Sequence, residues 1–233
     1  WRISYYFCIL FILNIIFIYI DSFCEHRRVV YKISTTISNS CQCLTTDCTY
    51  NEFMCLREGF EVFRVNSPNQ PPFLSIRTES KHWYSISNSI FPDIQFKPFV
   101  TPSKGHCILY HTPRSIKQPL IVLLHGGPHN LFAACFNTDI LFYLHHGYIV
   151  LVPNYHGSAG YGDNYLHSLC GHIAELELND VMEAMEYLHI KHSNEIDFER
   201  VFVMGSSYGG FIGLNLLIQQ SVFKVCLIVM DYQ

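Results

Sequence analysis

From residue 106 onward, short apolar runs alternate with longer amphipathic segments, and this alternation restricts the fold more than any other feature of the sequence. The apolar runs are typical of strands that are buried on both faces of a sheet. They occupy residues 106–111, 120–124, 148–152, 201–204 and 225–229. The segments between them have helical periodicity and occupy residues 132–146, 176–191 and 208–219. This alternation predicts an α/β fold with a mostly parallel, doubly wound sheet.

The helix predicted over 176–191 has an apolar side and an acidic side. Val181, Ala184, Met185 and Leu188 recur at helical spacing, so they are predicted to face the core. The acidic residues are predicted to lie on or beside the solvated side, and they are Glu177, Asp180, Glu183 and Glu186. A charged helix face is usually only solvated, so we expect no acid–base role for these carboxylates.

The motif that points to chemistry is Gly-Ser-Ser-Tyr-Gly-Gly at 205–210, between a predicted strand and a predicted helix. In that context the pattern G-x-S-x-G predicts a nucleophile elbow, with Ser207 as the nucleophile. The turn is so tight that side chains at 205 and 209 would collide with the neighbouring strand and helix. The elbow is therefore formed by its glycines, Gly205, Gly209 and Gly210. Ser206 has the wrong spacing to them.

A second glycine turn, His-Gly-Gly-Pro-His at 125–129, directly follows the strand predicted over 120–124. Such a turn can present a backbone N–H toward the nucleophile, and the N–H of Tyr208 would be the second donor of an oxyanion hole. His125 precedes Ser207 and belongs to this turn, so we expect it to be structural rather than a base. The same expectation covers the histidines at 129, 156 and 172.

Three blocks of sequence resemble the catalytic domain of the prolyl oligopeptidase family, and its acylaminoacyl-peptidase branch in particular. They are PLIVLLHGGPHN at 119–130, NYHGSAGYG at 154–162 and VFVMGSSYGGF at 201–211. The resemblance implies an α/β-hydrolase fold over about residues 95 to 230 and a serine peptidase that needs no cofactor. It also implies that Ser207 forms an acyl-enzyme, with the N–H groups of Gly127 and Tyr208 in the oxyanion hole.

The same resemblance implies the partners and the location of the protein. Its substrates would be short N-acylated peptides, from which the enzyme releases an N-acylated amino acid, and a β-propeller would restrict entry. A homo-oligomer and a cytoplasmic location are also expected by resemblance. A carboxylesterase is an alternative, although the HGGP and YGGF blocks favour a peptidase.

The sequence departs from the family pattern in two places. His156 stands where the family usually has arginine, which removes a permanent positive charge. In this fold the acid and the histidine follow the serine, but the last histidine of the chain is His192. Asp231 could serve as the acid only in a rarer arrangement. A partial hydrolase domain is therefore expected, inactive by itself, or else a non-catalytic fragment with a binding or regulatory role.

The N-terminal part differs in composition from the hydrolase part. Residues 3–20 form an apolar stretch that could nearly cross a membrane as a helix, so membrane association or a segment outside the mature protein is expected for residues 1–50. Short β-prone runs separated by Ser, Asn and Pro predict a β-rich remnant over 51–100, as at the end of a propeller. The partial catalytic domain is then expected over 101–233.

Cysteines and charge exclude other classes of protein. The four cysteines at 41, 43, 48 and 55 do not have the paired CxxC spacing of a zinc site, so no metal is expected and free thiols are favoured. The net charge of −4, without clustered basic residues, excludes nucleic acid as a partner.

Overall fold

The computed structural model describes residues 7–12, 15–24, 27–34, 41–44, 50–57, 59–78, 80, 83–85 and 91–229. The chain forms two compact units. The first consists of Trp1–Pro92 with Ala133–Phe136, and the second of Asp93–Phe132 with Asn137–Gln233. The unit boundary therefore precedes residue 101, where the sequence analysis began the hydrolase domain.

The first unit is an eight-stranded sheet in the order β1-β2-β3-β5-β6-β7-β8, with β4 paired to β3. All pairings are antiparallel except that of β3 with β5. The strands are β1 (Phe7–Ile12), β2 (Ile15–Cys24), β3 (Arg27–Ser34), β4 (Cys41–Leu44), β5 (Tyr50–Arg57), β6 (Phe60–Ser67), β7 (Gln70–Arg77) and β8 (Trp83–Ser85).

In the apolar stretch at 3–20 the described residues form strands. They lie in β1 and β2, which pair with each other as an antiparallel hairpin. The stretch is rich in Ile, Phe and Tyr, residues that favour strands, and pairing satisfies its backbone groups. Among the residues that the structure describes, no helix is long and apolar enough to cross a membrane.

Alternating burial along β6 explains how the first unit holds together. Phe63 and Val65 are buried while Arg64 between them is exposed, as the two-residue period of a strand requires. Phe63 packs edge-on against Phe53 and contacts Trp83, with ring centroids 5.6 and 5.0 Å apart. A two-residue turn at 68–69 separates β6 from β7.

The second unit contains the predicted sheet, in the order β14-β13-β11-β12-β10-β9. Its strands are β9 (Gln95–Val100), β10 (His106–His111), β11 (Gln118–Leu124), β12 (Ile149–Asn154), β13 (Ile196–Ser206) and β14 (Phe223–Val229). The four strands β14, β13, β11 and β12 are parallel, and β10 and β9 extend the sheet in antiparallel pairing. The predicted α/β fold is confirmed, and β9 belongs to this sheet rather than to the preceding β-rich segment.

Four helices connect these strands. They are α1 (Thr138–His145), α2 (Asp163–Leu166), α3 (Leu176–Lys191) and α4 (Tyr208–Gln219). The predictions for α3 and α4 are confirmed to the residue. The predicted helix over 132–146 begins too early, because the Asn137 side chain accepts bonds from the backbone N–H groups of Asp139 and Ile140 and so caps α1 at that point.

The core of the second unit lies between the sheet and the helices α3 and α4. Alternate residues of β11, Leu120 and Val122, belong to the same cluster as Val181 of α3 and Leu216 of α4. Ile121 points to the opposite face, where it lines an apolar cavity of about 390 Å³ beside α1. The strands are therefore covered on both faces, which explains their continuous apolar sequences.

We expect the core side of α4 to determine the stability of this unit. Leu216 is fully buried, whereas Ile218 on the same helix is 81 % exposed. Leu216→Ala should lower the free energy of unfolding by about 2–5 kcal/mol through the cavity it leaves. Ile218→Ala should change it by less than about 0.5 kcal/mol. Urea denaturation of both variants checks this, and equal losses would contradict the packing described here.

Candidate active site

Ser207 stands at the junction of β13 and α4 in a strained backbone conformation. Its φ and ψ are 51° and −118°, in a region that residues with a side chain rarely occupy. The Ser207 carbonyl accepts hydrogen bonds from the N–H groups of Gly210 and Phe211, which start the helix. The side chain is exposed and caps no backbone group. The turn therefore holds the hydroxyl out of the sheet rather than in a local hydrogen bond.

The elbow glycines allow two backbone segments to touch. A Cβ on Gly205 would lie 2.4 Å from the carbonyl carbon and oxygen of Gly209. A Cβ on Gly209 would lie 2.4 Å from the Leu124 carbonyl oxygen and 2.7 Å from that of His125. All of these are backbone atoms, which cannot rotate away. Gly210 is buried in the first turn of α4.

The turn at 125–129 lies directly beside Ser207. A Cβ on Gly126 would be 3.4 Å from the Ser207 Cβ and 3.1 Å from the Ser206 carbonyl oxygen. Gly127 has a φ of 54° and open space around it, and its carbonyl accepts a hydrogen bond from the Asn130 N–H. The structure thus brings together the two glycine turns that the sequence analysis combined into one site.

His125 is buried behind this turn. Its Nε2 lies 2.9 Å from Ser158 Oγ, and its ring stacks on Tyr155 with centroids 4.3 Å apart. Burial lowers the pKa of His125 to about 4, so the ring is neutral near neutral pH. The Tyr155 hydroxyl donates a 2.7 Å bond to the His125 carbonyl oxygen and so anchors the turn. These contacts are those of a structural histidine.

The prediction that the acidic residues of α3 are solvated is wrong for two of the four. Glu177 and Asp180 are 0 % and 1 % exposed, whereas Glu183 is half-buried and Glu186 exposed. Asp180 accepts bonds from the His156 N–H and ring and from Ser103 Oγ, and Glu177 accepts one from the Tyr208 hydroxyl. The sequence contained one sign of this. Glu177 precedes Val181, Ala184 and Leu188 at helical spacing and so shares their buried stripe.

His156 replaces the expected arginine with a cation that depends on pH. Its Nδ1 lies 2.8 Å from Asp180 Oδ2, and its ring stacks on Tyr165 at 4.4 Å. The hydrogen bond to Asp180 raises the pKa of His156 despite its partial burial. The His156 ring therefore ties the glycine-rich loop at 154–162 to α3.

No described side chain forms a hydrogen bond with Ser207 Oγ. The rings of His129 and His172 bond instead to the Gly157 carbonyl and to Glu175. Asp231, the less common acid considered above, lies outside the described residues.

Within the described part of the chain no three His, Cys, Asp or Glu residues are grouped to hold a metal ion. The thiols of Cys55, Cys107, Cys135 and Cys170 are free.

The strand order and the strand–turn–helix around Ser207 define the class of this domain, which is an α/β-hydrolase. Residues 135–230 match the model of the prolyl oligopeptidase family. This part of the chain belongs to that family, and the resemblance inferred from the three sequence blocks is confirmed.

The curated relatives include acylamino-acid-releasing enzymes. The chain is 32 % identical over 172 residues to acylamino-acid-releasing enzyme 1 of Oryza sativa subsp. japonica, covering 68 % of this chain and 22 % of the rice protein. It is 25 % identical over 199 residues to the acylamino-acid-releasing enzyme of Homo sapiens, covering 75 % of this chain and 27 % of the human protein. The chain thus spans about a quarter of the length of these relatives.

Solved structures share the fold at low identity. The acylaminoacyl peptidase of Pyrococcus horikoshii superposes with a TM-score of 0.77 at 18 % identity, covering 90 % of this chain and 35 % of that protein. A puromycin-hydrolyzing peptidase of Mycobacterium tuberculosis gives a TM-score of 0.73 at 18 % identity, covering 95 % of this chain and 36 % of that protein. These similarities support the fold described above.

We expect Gly209→Ala to be far more damaging than its small change in volume suggests. The added methyl group would overlap two carbonyl oxygens, and we expect a loss of at least about 3 kcal/mol in the free energy of unfolding. The control is Gly171→Ala, where φ is 85° but nothing lies within 4 Å of the added atom. Backbone strain alone should cost about 1–2 kcal/mol there. Urea denaturation compares the two, and equal losses would mean that the elbow can open.

The His156–Asp180 pair predicts a pH dependence of stability. The folded-state pKa of His156 lies above its unfolded value of about 6.5. Its stabilisation is therefore complete below that pH and is lost as the pH rises through the folded pKa. The difference in free energy of unfolding between the native protein and His156→Gln should shrink from pH 6 to pH 9. A difference that stays flat over this range would contradict a charge-dependent bond between His156 and Asp180.

Proposed function

We propose that this chain carries the nucleophile and the oxyanion hole of a serine peptidase that releases N-acylated amino acids from short peptides. Ser207 is the nucleophile, Gly205, Gly209 and Gly210 form its elbow, and the N–H groups of Gly127 and Tyr208 form the oxyanion hole. The observation that carries the proposal is the strained Ser207 with the glycine turn at 125–129 directly beside it.

The proposed reaction begins with attack of Ser207 Oγ on the carbonyl carbon of the first peptide bond. The hydroxyl proton passes to a general base, the C–N bond breaks, and that proton is transferred to the leaving amine. An ester between Ser207 and the N-acylated residue remains, and water hydrolyses it to the free carboxylic acid. Negative charge develops on the carbonyl oxygen in both steps, which is where the two N–H groups act.

Two features support the assignment of the oxyanion donors. Tyr208 begins α4, and the first N–H groups of a helix have no partner within it, so they are free for an anion. Gly127 is exposed, has a positive φ and directly follows Gly126, which lies beside Ser207.

The substrate class rests on the relatives, whose names describe release of acylamino acids.

The sheet before residue 93 is proposed to be the end of a β-propeller that filters peptides by size. The consecutive strands β5 to β8 form a four-stranded antiparallel meander, which is the arrangement of a propeller blade.

We expect residues 1–233 by themselves to react slowly. The serine hydroxyl is a weak nucleophile without a base, and no described side chain is hydrogen-bonded to Ser207 Oγ. The protein at its natural length should react readily if it supplies the histidine and the acid.

Labelling with a fluorophosphonate probe tests the nucleophile. The protein purified at its natural length should gain one probe adduct in its intact mass, and Ser207→Ala should gain none, because the probe bonds to the activated hydroxyl. Ser221→Ala, on the exposed turn after α4, is the matched control and should label fully. Label that survives Ser207→Ala and is lost in Ser206→Ala would make Ser206 the nucleophile and refute the assignment.

The same preparation tests the substrate class. N-acetyl-alanine p-nitroanilide should be hydrolysed faster than alanine p-nitroanilide with a free amino group. Hydrolysis of p-nitrophenyl esters without cleavage of either anilide would instead identify a carboxylesterase. A protein of natural length that neither labels nor hydrolyses would favour the non-catalytic alternative.

A further inference from the structure

A buried carboxylate lies behind the candidate oxyanion hole. It belongs to α3, a helix that contributes no residue to the proposed reaction. Glu177 is in the first turn of α3 and has no exposed surface. Its Oε1 accepts a hydrogen bond from the hydroxyl of Tyr208. Its Oε2 is buried and has no hydrogen-bond partner among the described residues. Glu177 thus makes one polar side-chain contact, and that contact is with the residue after the nucleophile.

Stability alone does not explain a glutamate at this position. Burying a carboxylate costs several kcal/mol unless its oxygens are paired, and one of these oxygens is unpaired. The dipole of α3 offsets part of that cost, because the first turn of a helix favours negative charge. An apolar side chain would still suit the buried stripe of Val181, Ala184 and Leu188 better. The neighbouring Asp180 differs, since both its oxygens have partners.

Tyr208 connects this carboxylate to the candidate site. Its backbone N–H is the proposed oxyanion donor, and its ring points back to α3 and to Tyr155, with ring centroids 6.3 Å apart. Tyr155 in turn donates to the His125 carbonyl oxygen. A tyrosine therefore lies on each side of the candidate oxyanion hole. Tyr155 bonds to the backbone of the turn at 125–129, and Tyr208, on the nucleophile side, bonds to Glu177.

We propose that Glu177 is a positioning residue, which orients the peptide group between Ser207 and Tyr208 by accepting the hydrogen bond of the Tyr208 hydroxyl. Ser207 has a strained backbone, so this peptide group needs a restraint other than its own dihedral preference. The first turn of α3 and the first turn of α4 are thereby tied together through one side-chain bond. This inference rests on the proposed function for its catalytic consequence, but the restraint itself does not.

The labelling rate of Ser207 tests the catalytic consequence in the protein of natural length. Loss of a whole oxyanion donor lowers rates by about 10²–10³, and a misoriented donor should have a smaller effect. We expect Glu177→Ala and Tyr208→Phe each to slow fluorophosphonate labelling by about tenfold. The double variant should be no slower than either single variant, because both changes remove the same bond.

Conservative replacement separates positioning from a general loss of structure. Glu177→Gln keeps an acceptor oxygen and should restore labelling to within about threefold of the native rate. Glu186→Gln, on the exposed side of α3, and Tyr187→Phe, which removes another phenol of the same helix, should both label at the native rate. Additive losses in the double variant, or a native rate in Glu177→Ala, would overturn the proposal.

Hydrogen exchange makes the test independent of the proposed function. In Glu177→Ala the amides of residues 205–211 should exchange at least about fivefold faster than in the native protein, and in Glu177→Gln they should not. If the native protein does not label, the proposed function fails. The exchange result still shows whether Glu177 restrains the elbow. Unchanged exchange in Glu177→Ala overturns the restraint whether or not the protein labels.

Discussion

The candidate site depends on the contact between the start of α4 and the end of β11, which only glycine permits. Gly209 lies so close to the carbonyl oxygens of Leu124 and His125 that any side chain would overlap them. This contact places Ser207 beside the turn at 125–129. The strained φ of Ser207 is a consequence, because the chain must reverse direction between Gly205 and Gly209 within a few residues.

The helix α3 supports this contact from behind through two buried carboxylates one turn apart. Asp180 binds the loop at 154–162 through His156, and Glu177 binds the elbow through Tyr208. Burial of acidic groups is costly in general, so their presence beside the two loops connects the stability of the domain to the geometry of the site. Because the residue at 156 is a histidine, one of these connections is sensitive to pH.

The antiparallel unit before residue 93 shows where sequence patterns were ambiguous. An apolar stretch at 3–20 is nearly long enough for a membrane helix, yet its described residues form the strands β1 and β2. Hydrophobicity alone does not distinguish the two, because a helix and a pair of strands both satisfy the backbone hydrogen bonds. The bias toward Ile, Phe and Tyr was the better indicator, since these residues favour strands.

The sequence by itself determined the α/β alternation, the bounds of α3 and α4 and the positions of the two glycine turns, because each depends on local periodicity or on a local steric requirement. Only the tertiary structure decided which partners the buried acidic residues have. Glu177 and Glu183 have the same side chain on one helix, but Glu177 accepts a hydrogen bond from Tyr208, whereas Glu183 accepts bonds from Ser103 and Asn179. The contact with Tyr208 arises from the packing of α3 near α4, segments some 30 residues apart in the chain. Helical spacing places Glu177 on the buried stripe of α3, but its hydrogen-bond partner is a property of such long-range packing, and no local pattern specifies it.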